Sequence, residues 1–289
     1  MRILFFGNKG WIGNQFINFL KTNSLEIINS SYRADDYENV HDELVEIKPT
    51  HVVCMIGRTH GPGYSTIDYL EQPGKLKENL NDNLFSPVVL AMLCSKLNIH
   101  LTYLGTGCIF EYDKLDNNYK FTENDLPNFF GSSYSIVKGY TDRLMHVFEK
   151  LNYPVLNARI RMPLNDENNP RNFITKITSY SKICSIANSM TVLQTVFPIL
   201  YDLMKKSHIG TINLTNPGVI THNEILHMYK DIVNNNFTWE NFSVEEQDKI
   251  LLSKRSNNYL DTSKLEKLYP EVPTINDAVK MTLLNMEKF

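Results

Sequence analysis

Short apolar runs and amphipathic stretches alternate through the first half of the chain: Ile3–Phe6, Trp11–Leu20, Glu26–Ile28, Val40–Ile47, His51–Met55, Leu84–Leu97, His100–Leu104, Ser135–Leu151 and Val155–Arg159. Strands alternating with helices make βαβ units, and the parallel sheet they build is covered on both faces, so its strands read as uninterrupted apolar runs. The fold class predicted is α/β, a doubly wound parallel sheet.

Beyond about residue 160 the pattern changes to shorter elements between Asn-, Pro- and Ser-rich turns. Ser243-Val-Glu-Glu246 is a capping box, and Thr274 before Ile-Asn-Asp277 marks a similar helix start just after Pro273. A smaller, mainly helical C-terminal lobe is expected. The division predicted is a cofactor-binding domain over 1–160 and a substrate-binding lobe over 161–289, with some interleaving of elements. There is no internal repeat and no Gly/Ser tether, so the lobes should pack directly and leave a cleft as the ligand site.

Composition narrows partners more than it narrows function. The 289 residues are 42% apolar and 21% charged, ordinary for a soluble globular protein. A formal charge of −3 with scattered Lys and Arg offers no field for a nucleic-acid backbone. The opening residues are apolar for too few positions to form a signal segment or a membrane span, so a cytoplasmic location is expected. Cys54, Cys94, Cys108 and Cys184 are widely spaced and read as free thiols, with no metal-ligand spacing.

Gly7-Asn8-Lys-Gly10-Trp11-Ile12-Gly13 follows the first strand and opens the first helix. Glycines there let the backbone turn tightly and approach a pyrophosphate, whose charge sits against the free N–H groups of the helix N-terminus. This makes the sheet Rossmann-type. At the end of the second strand the chain reads Ile28-Asn-Ser-Ser-Tyr-Arg33, with no acid before Asp35. An NAD site places an acid there for the ribose 2′-hydroxyl; hydroxyls and an arginine suit the 2′-phosphate of NADP, with Arg33 as its contact.

Tyr134-Ser-Ile-Val-Lys138 places a phenol and an ammonium on one face of a helix that begins near Gly131-Ser-Ser133. In such a pair the cation is expected to lower the phenol's pKa, so that tyrosine passes a proton to a ketone oxygen. About thirty residues earlier the fourth strand ends in Leu104-Gly-Thr106-Gly-Cys108, at the sheet edge where α/β folds bind ligands. Thr106 supplies a hydroxyl to that edge. Cys108 supplies a thiol if strand alternation turns both side chains inward.

These patterns together resemble the extended short-chain dehydrogenase/reductase superfamily. The blocks Thr106–Asp113, Asn169–Ile177, Asn188–Thr191, Thr215–Gly218, His222–Ile225 and Arg255–Asn258 are closely similar to the plant-type nucleotide-rhamnose synthase/epimerase-reductases, of which this chain looks like a viral or microbial member. The resemblance implies a bifunctional 3,5-epimerase/4-reductase that converts UDP- or dTDP-4-keto-6-deoxyglucose to the rhamnose nucleotide with NADPH. It implies that Thr106, Tyr134 and Lys138 form the reductive triad, and that Cys108 and Lys176 are the acid/base pair of epimerisation. Arg255 matches a diphosphate contact, Asn172 a sugar or phosphate contact, and Gly57, Arg58 and Thr59 a loop near cofactor and sugar. Met55-Ile-Gly57 departs from the family's Ala-Ala, and Gly105 replaces its small residue before Thr106. A homodimer is expected, and, with no second glycine loop, a 4,6-dehydratase on another chain. The alternatives are a monofunctional 4-keto-rhamnose-nucleotide reductase, a GDP-fucose-synthase-like enzyme, and a non-catalytic NADP-binding regulator.

Overall fold

The computed structural model describes residues 1–23, 25–112 and 118–286. Asp113, the last residue of the Thr106–Asp113 block, lies outside the described residues. Six strands among them, β1 (Arg2–Phe6), β2 (Glu26–Asn29), β3 (His51–Cys54), β4 (His100–Thr106), β5 (Val155–Ile160) and β6 (Gly210–Asn213), form one parallel sheet in the order β6-β5-β4-β3-β1-β2. The helices that follow the chain are α1 (Trp11–Lys21), α2 (Tyr37–Ile47), α3 (Leu76–Leu80), α4 (Ser86–Leu97), α5 (Ser133–Lys150), α6 (Phe173–Ser179), α7 (Leu193–Lys205), α8 (His222–Ile232), α9 (Val244–Ile250), α10 (Ser263–Leu268) and α11 (Ile275–Asn285).

Both faces of the sheet are buried, which is why its strands lack polar alternation. Ile3 and Phe5 pack toward α1 and α7, against Phe16, Leu20, Val196 and Leu200. Leu4 and Phe6 turn to the other face, against Val40, Leu44, Leu90 and Met145 from α2, α4 and α5. The strand order reverses between β1 and β3, the switch point where doubly wound sheets take their ligands. The cleft is therefore set by topology.

Two departures from the pattern have local causes. Strand β6 was not legible because its buried positions include Thr211 and Asn213, and Asn213 Nδ2 donates to the carbonyls of Phe121 and Asp261 at 2.9 Å each. It completes the sheet from beyond residue 160, as does the helix α7 packed beneath it. The helix expected from Leu84 begins at Leu76 instead and passes through a π-helical turn, Asn81–Phe85, into α4. Pro87 has no N–H for the Asn83 carbonyl, and Thr141 Oγ1 donates to that carbonyl at 2.6 Å instead.

The smaller lobe buries Leu164, Ile174, Ile177, Ile225, Leu226, Val279 and Leu283 in a separate core supplied largely by α6, α8 and α11. Its capping box is formed: Ser243 Oγ accepts from Glu246 N at 3.2 Å and Glu246 Oε2 from Ser243 N at 2.8 Å. Thr274 caps α11 by accepting from Asp277 N at 3.2 Å. Among the described residues no helix is long and apolar enough to cross a membrane.

Candidate active site

A cavity of about 810 Å³ opens between the two cores, a volume suited to small-molecule ligands. One end is the glycine loop. Gly7 has φ of +94°, and a Cβ there would lie 2.6 Å from the Met55 carbonyl carbon; a Cβ on Gly13 would lie 2.2 Å from Gly7 O. Only glycine allows this approach of loop, helix and β3. Gly10 caps α1 with no side-chain hydrogen bond, so the first N–H groups of the helix are left for an anion. Gly10, Trp11, Ile12 and Gly13 line the cavity, with Gly57 and Thr59 beyond them, while Gly7 and Asn8 form the approach from β1. These features fit a dinucleotide.

Thr106, Cys108, Tyr134, Lys138, Lys176 and Arg255 all reach the same cavity. Strand β4 ends at Thr106, so alternation does not place Cys108 as the sequence reading required. A turn does: Thr106 Oγ1 accepts from Cys108 N at 3.1 Å, and the half-buried thiol follows it into the cavity. Ser132 caps α5 by accepting from Ser135 N at 3.0 Å, which fixes the first turn carrying Tyr134.

The expectation that Lys138 lowers the Tyr134 phenol is not met. Helical spacing brings the two side chains to one face, but the Lys138 ammonium donates to Tyr103 Oη from β4 and sits 4.7 Å from the Tyr103 ring centre. Burial pushes the Tyr134 phenol above its ordinary range, the nearby Cys108 adds to this, and a Thr106 hydrogen bond opposes it. Burial lowers Lys138 to about 8. Lys176, on α6, is lowered to about 8 by burial and then by the positive charges of Arg171 and Arg255.

Arg255 donates from Nη2 to Asp68 Oδ2 at 2.9 Å, and Asp68 also accepts from Ser253 N at 3.1 Å, so one buried carboxylate fixes the arginine and its backbone. Arg33 and Arg58 are not on the cavity wall. They share Asp82, at 3.1 and 2.9 Å, and Arg33 also pairs with Asp35 at 2.9 Å. The end of β2 does meet an acid, supplied by α2: Glu43 accepts from Ser30 Oγ at 2.5 Å and Ser31 N at 2.9 Å, which occupies both carboxylate oxygens. Asn172 is fully buried rather than turned to a ligand. Its amide donates to the carbonyls of Asn165 and Glu167 at 2.8 and 2.7 Å, and its oxygen caps α6 at Ile174 N.

Tyr103, Arg161 and Arg171 escaped the sequence reading. Arg161 is buried at the cavity wall, where its Nη groups donate to Asn188 Oδ1 at 2.5 Å and to the carbonyls of Ser189 and Ser256, while its Nε has no hydrogen-bond partner among the described residues. Tyr103 reads as one more apolar residue in a strand, and Arg171 as one polar residue in a turn. Nothing in their spacing separates them from structural residues.

No family model matches the chain. It is 56% identical to protein L780 of Acanthamoeba polyphaga mimivirus over 99% of both chains, and the crystal structure of that UDP-rhamnose synthase matches it with a TM-score of 0.95. It is 38% identical over 280 residues to a bifunctional dTDP-4-dehydrorhamnose 3,5-epimerase/dTDP-4-dehydrorhamnose reductase of Arabidopsis thaliana, covering 96% of this chain and 90% of the relative. At 16% identity, a dTDP-4-dehydrorhamnose reductase of Bacillus anthracis solved in complex with NADP shares the fold over 99% of both chains, with a TM-score of 0.79. With relatives this similar over nearly the full length of each chain, the chain belongs to the nucleotide-rhamnose epimerase/reductase family of the extended short-chain dehydrogenases/reductases.

Proposed function

We propose that the chain converts UDP- or dTDP-4-keto-6-deoxyglucose to the rhamnose nucleotide, inverting C3 and C5 and reducing the C4 ketone with NADPH. The observation that carries this reading is that Thr106, Tyr134 and Lys138 share one cavity with Cys108 and Lys176. A reductase alone needs only the first three, and a regulator needs none. Membership of the rhamnose branch also disfavours the GDP-fucose-synthase-like alternative.

NADPH, when bound, supplies the hydride. The N-terminus of α1 takes its pyrophosphate, and Arg33, with free guanidinium donors beyond Asp35 and Asp82, takes the 2′-phosphate. Tyr134, held protonated by burial, gives its Oη proton to the C4 oxygen, and Thr106 Oγ1 holds the phenol in place. Lys138, anchored on Tyr103, keeps a positive charge beneath the site. The C4 ketone acidifies the hydrogens at C3 and C5, so inversion needs one group to remove a proton and another to return it. Cys108 Sγ and Lys176 Nζ fill these roles. A lysine titrating at about 8 both holds and releases a proton near neutrality. Arg255 meets the diphosphate, and the small lobe carries most of the substrate contacts in the two-part division at about residue 160.

The substrate comes from a 4,6-dehydratase on another chain, and the setting is cytoplasmic. A homodimer is supported by exposed apolar residues, Tyr140, Leu144 and Val147 at helical spacing on α5, with Phe85 in the π-helical turn and Met92 on α4, both elements packed against α5; light scattering at twice 33.5 kDa would bear it out and at 33.5 kDa would contradict it. The activity is tested by offering both 4-keto-6-deoxyglucose nucleotides with NADPH and identifying the product sugar by NMR. Rhamnose is expected. A 6-deoxy sugar with C3 or C5 uninverted would contradict the bifunctional reading.

A further inference from the structure

We propose that Arg171 is a further substrate-binding residue, which forms with Arg255, beside the proton-transferring Lys176, a cationic subsite for the diphosphate of the sugar nucleotide. The inference rests on the nucleotide-sugar reading above and names a contact that reading does not contain.

Three cations, Arg171, Lys176 and Arg255, reach the cavity, and each of the two arginines depresses the proton affinity of the lysine, so their charges act on one another. Arg255 has Asp68 at 2.9 Å. Arg171 and Lys176 have no carboxylate partner among the described residues, and Arg171 Nη1 is buried with no hydrogen-bond partner. The one carboxylate on the nearby wall, Glu167, is engaged at 2.9 Å by Trp11 Nε1.

Arg159, whose task is structural, does have a carboxylate. Buried Arg159 is held by Asp142 through two bonds of 2.8 Å each. A partly buried guanidinium that keeps one nitrogen out of water and without a partner is unfavourable, and a site with that deficit favours an anion from solution. Guanidinium groups bind phosphate oxygens through paired, charge-assisted hydrogen bonds, and a dianionic diphosphate matches the surplus charge.

The backbone holds Arg171 ready for that contact. Asn169 Oδ1 accepts from Arg171 N at 2.9 Å, and the next residue is the buried Asn172, whose amide ties the turn to Asn165 and Glu167. Asn172 thus acts on the substrate side only by fixing its neighbour. The pyrophosphate of the cofactor is the competing anion, but it is provided for by the N-terminus of α1.

The test is calorimetric titration of the full chain with UDP, dTDP and NADPH, for the unaltered protein, Arg171→Met and Arg171→Lys. Arg171→Met should weaken binding of the nucleoside diphosphates roughly tenfold to a hundredfold, as loss of a charge-assisted bond does, with NADPH binding unchanged. Arg171→Lys should recover part of the loss, which separates charge from packing. In turnover, Arg171→Met should raise KM for the sugar nucleotide with little change in kcat. Nucleoside-diphosphate affinity unchanged in Arg171→Met, or a loss confined to NADPH, would overturn the assignment. Failure of the unaltered chain to bind either UDP or dTDP would instead count against the nucleotide-sugar reading itself.

Discussion

Tyr134 and Lys138 were legible as a pair because four residues of helix bring two side chains to one face, yet the sequence could not say whom the lysine would meet. Its ammonium meets Tyr103, thirty-five positions back on β4, and the phenol stays protonated, which suits a proton donor better than an ionised phenol would. The same limit applies at the end of β2. The absence of an acid in Ser30–Arg33 was readable, while Glu43 and Asp82 arrive from α2 and the π-helical turn through tertiary packing. Glu43 is drawn back to Ser30 and Ser31, and the NADPH preference should stand. Arg33→Ala should weaken NADPH by about 1–3 kcal/mol and leave NADH nearly unaffected. Equal losses for both cofactors, or equal wild-type kcat/KM with each, would rule out Arg33 as the 2′-phosphate contact.

Elements with strong local signals matched their sequence signatures: the glycine loop into α1, the capping box of α9 and the Thr274 cap of α11, and strands buried on both faces. Elements that depend on distant partners did not. The π-helical turn follows from Pro87 having no N–H for the Asn83 carbonyl, which Thr141 of α5 serves instead, and β6 hides its strand character behind Thr211 and Asn213. Gly105, an oddity in the sequence, has its reason in the neighbouring strand: a Cβ there would lie 2.3 Å from Asn157 Oδ1. Asn157 cannot turn away cheaply, since its Nδ2 donates to Asp142 Oδ1 at 2.8 Å. Gly105→Ala should therefore destabilise the fold by about 1–3 kcal/mol, as overpacking of a core does. Adding Asn157→Ser should recover part of that loss in denaturant unfolding, and strictly additive losses would show that the two positions do not clash.

Across the whole molecule, the α/β class could be read from the sequence, but the strand order and the return of the chain to the sheet after residue 160 could not. That return places three histidines together at the foot of the sheet. His51 Nε2 meets the Met204 carbonyl at 3.1 Å, His100 Nε2 meets the His208 carbonyl at 2.9 Å, and the His51 and His100 rings lie 5.2 Å apart. Burial, then His100, pushes His51 down to about 4, and burial also lowers His100 and His208. Native histidines stay neutral where unfolded ones, with a pKa near ~6.5, take up protons, so stability should fall as pH drops from about 6.5 toward 4. Tm should decline over that interval; a Tm that holds or rises would contradict the account. The two cores also bring two chemistries into one cavity, and separating those chemistries is the most direct test of the central claim. Tyr134→Phe and Cys108→Ala, incubated with the 4-keto-6-deoxyglucose nucleotide in D₂O and followed by mass spectrometry and NADPH absorbance, give opposite outcomes. Tyr134→Phe should abolish NADPH oxidation while still exchanging hydrogen for deuterium at C3 or C5, and Cys108→Ala should lose that exchange while slow reduction of the uninverted ketone persists. Full deuterium incorporation at both carbons by Cys108→Ala would contradict the account and leave only a reductase.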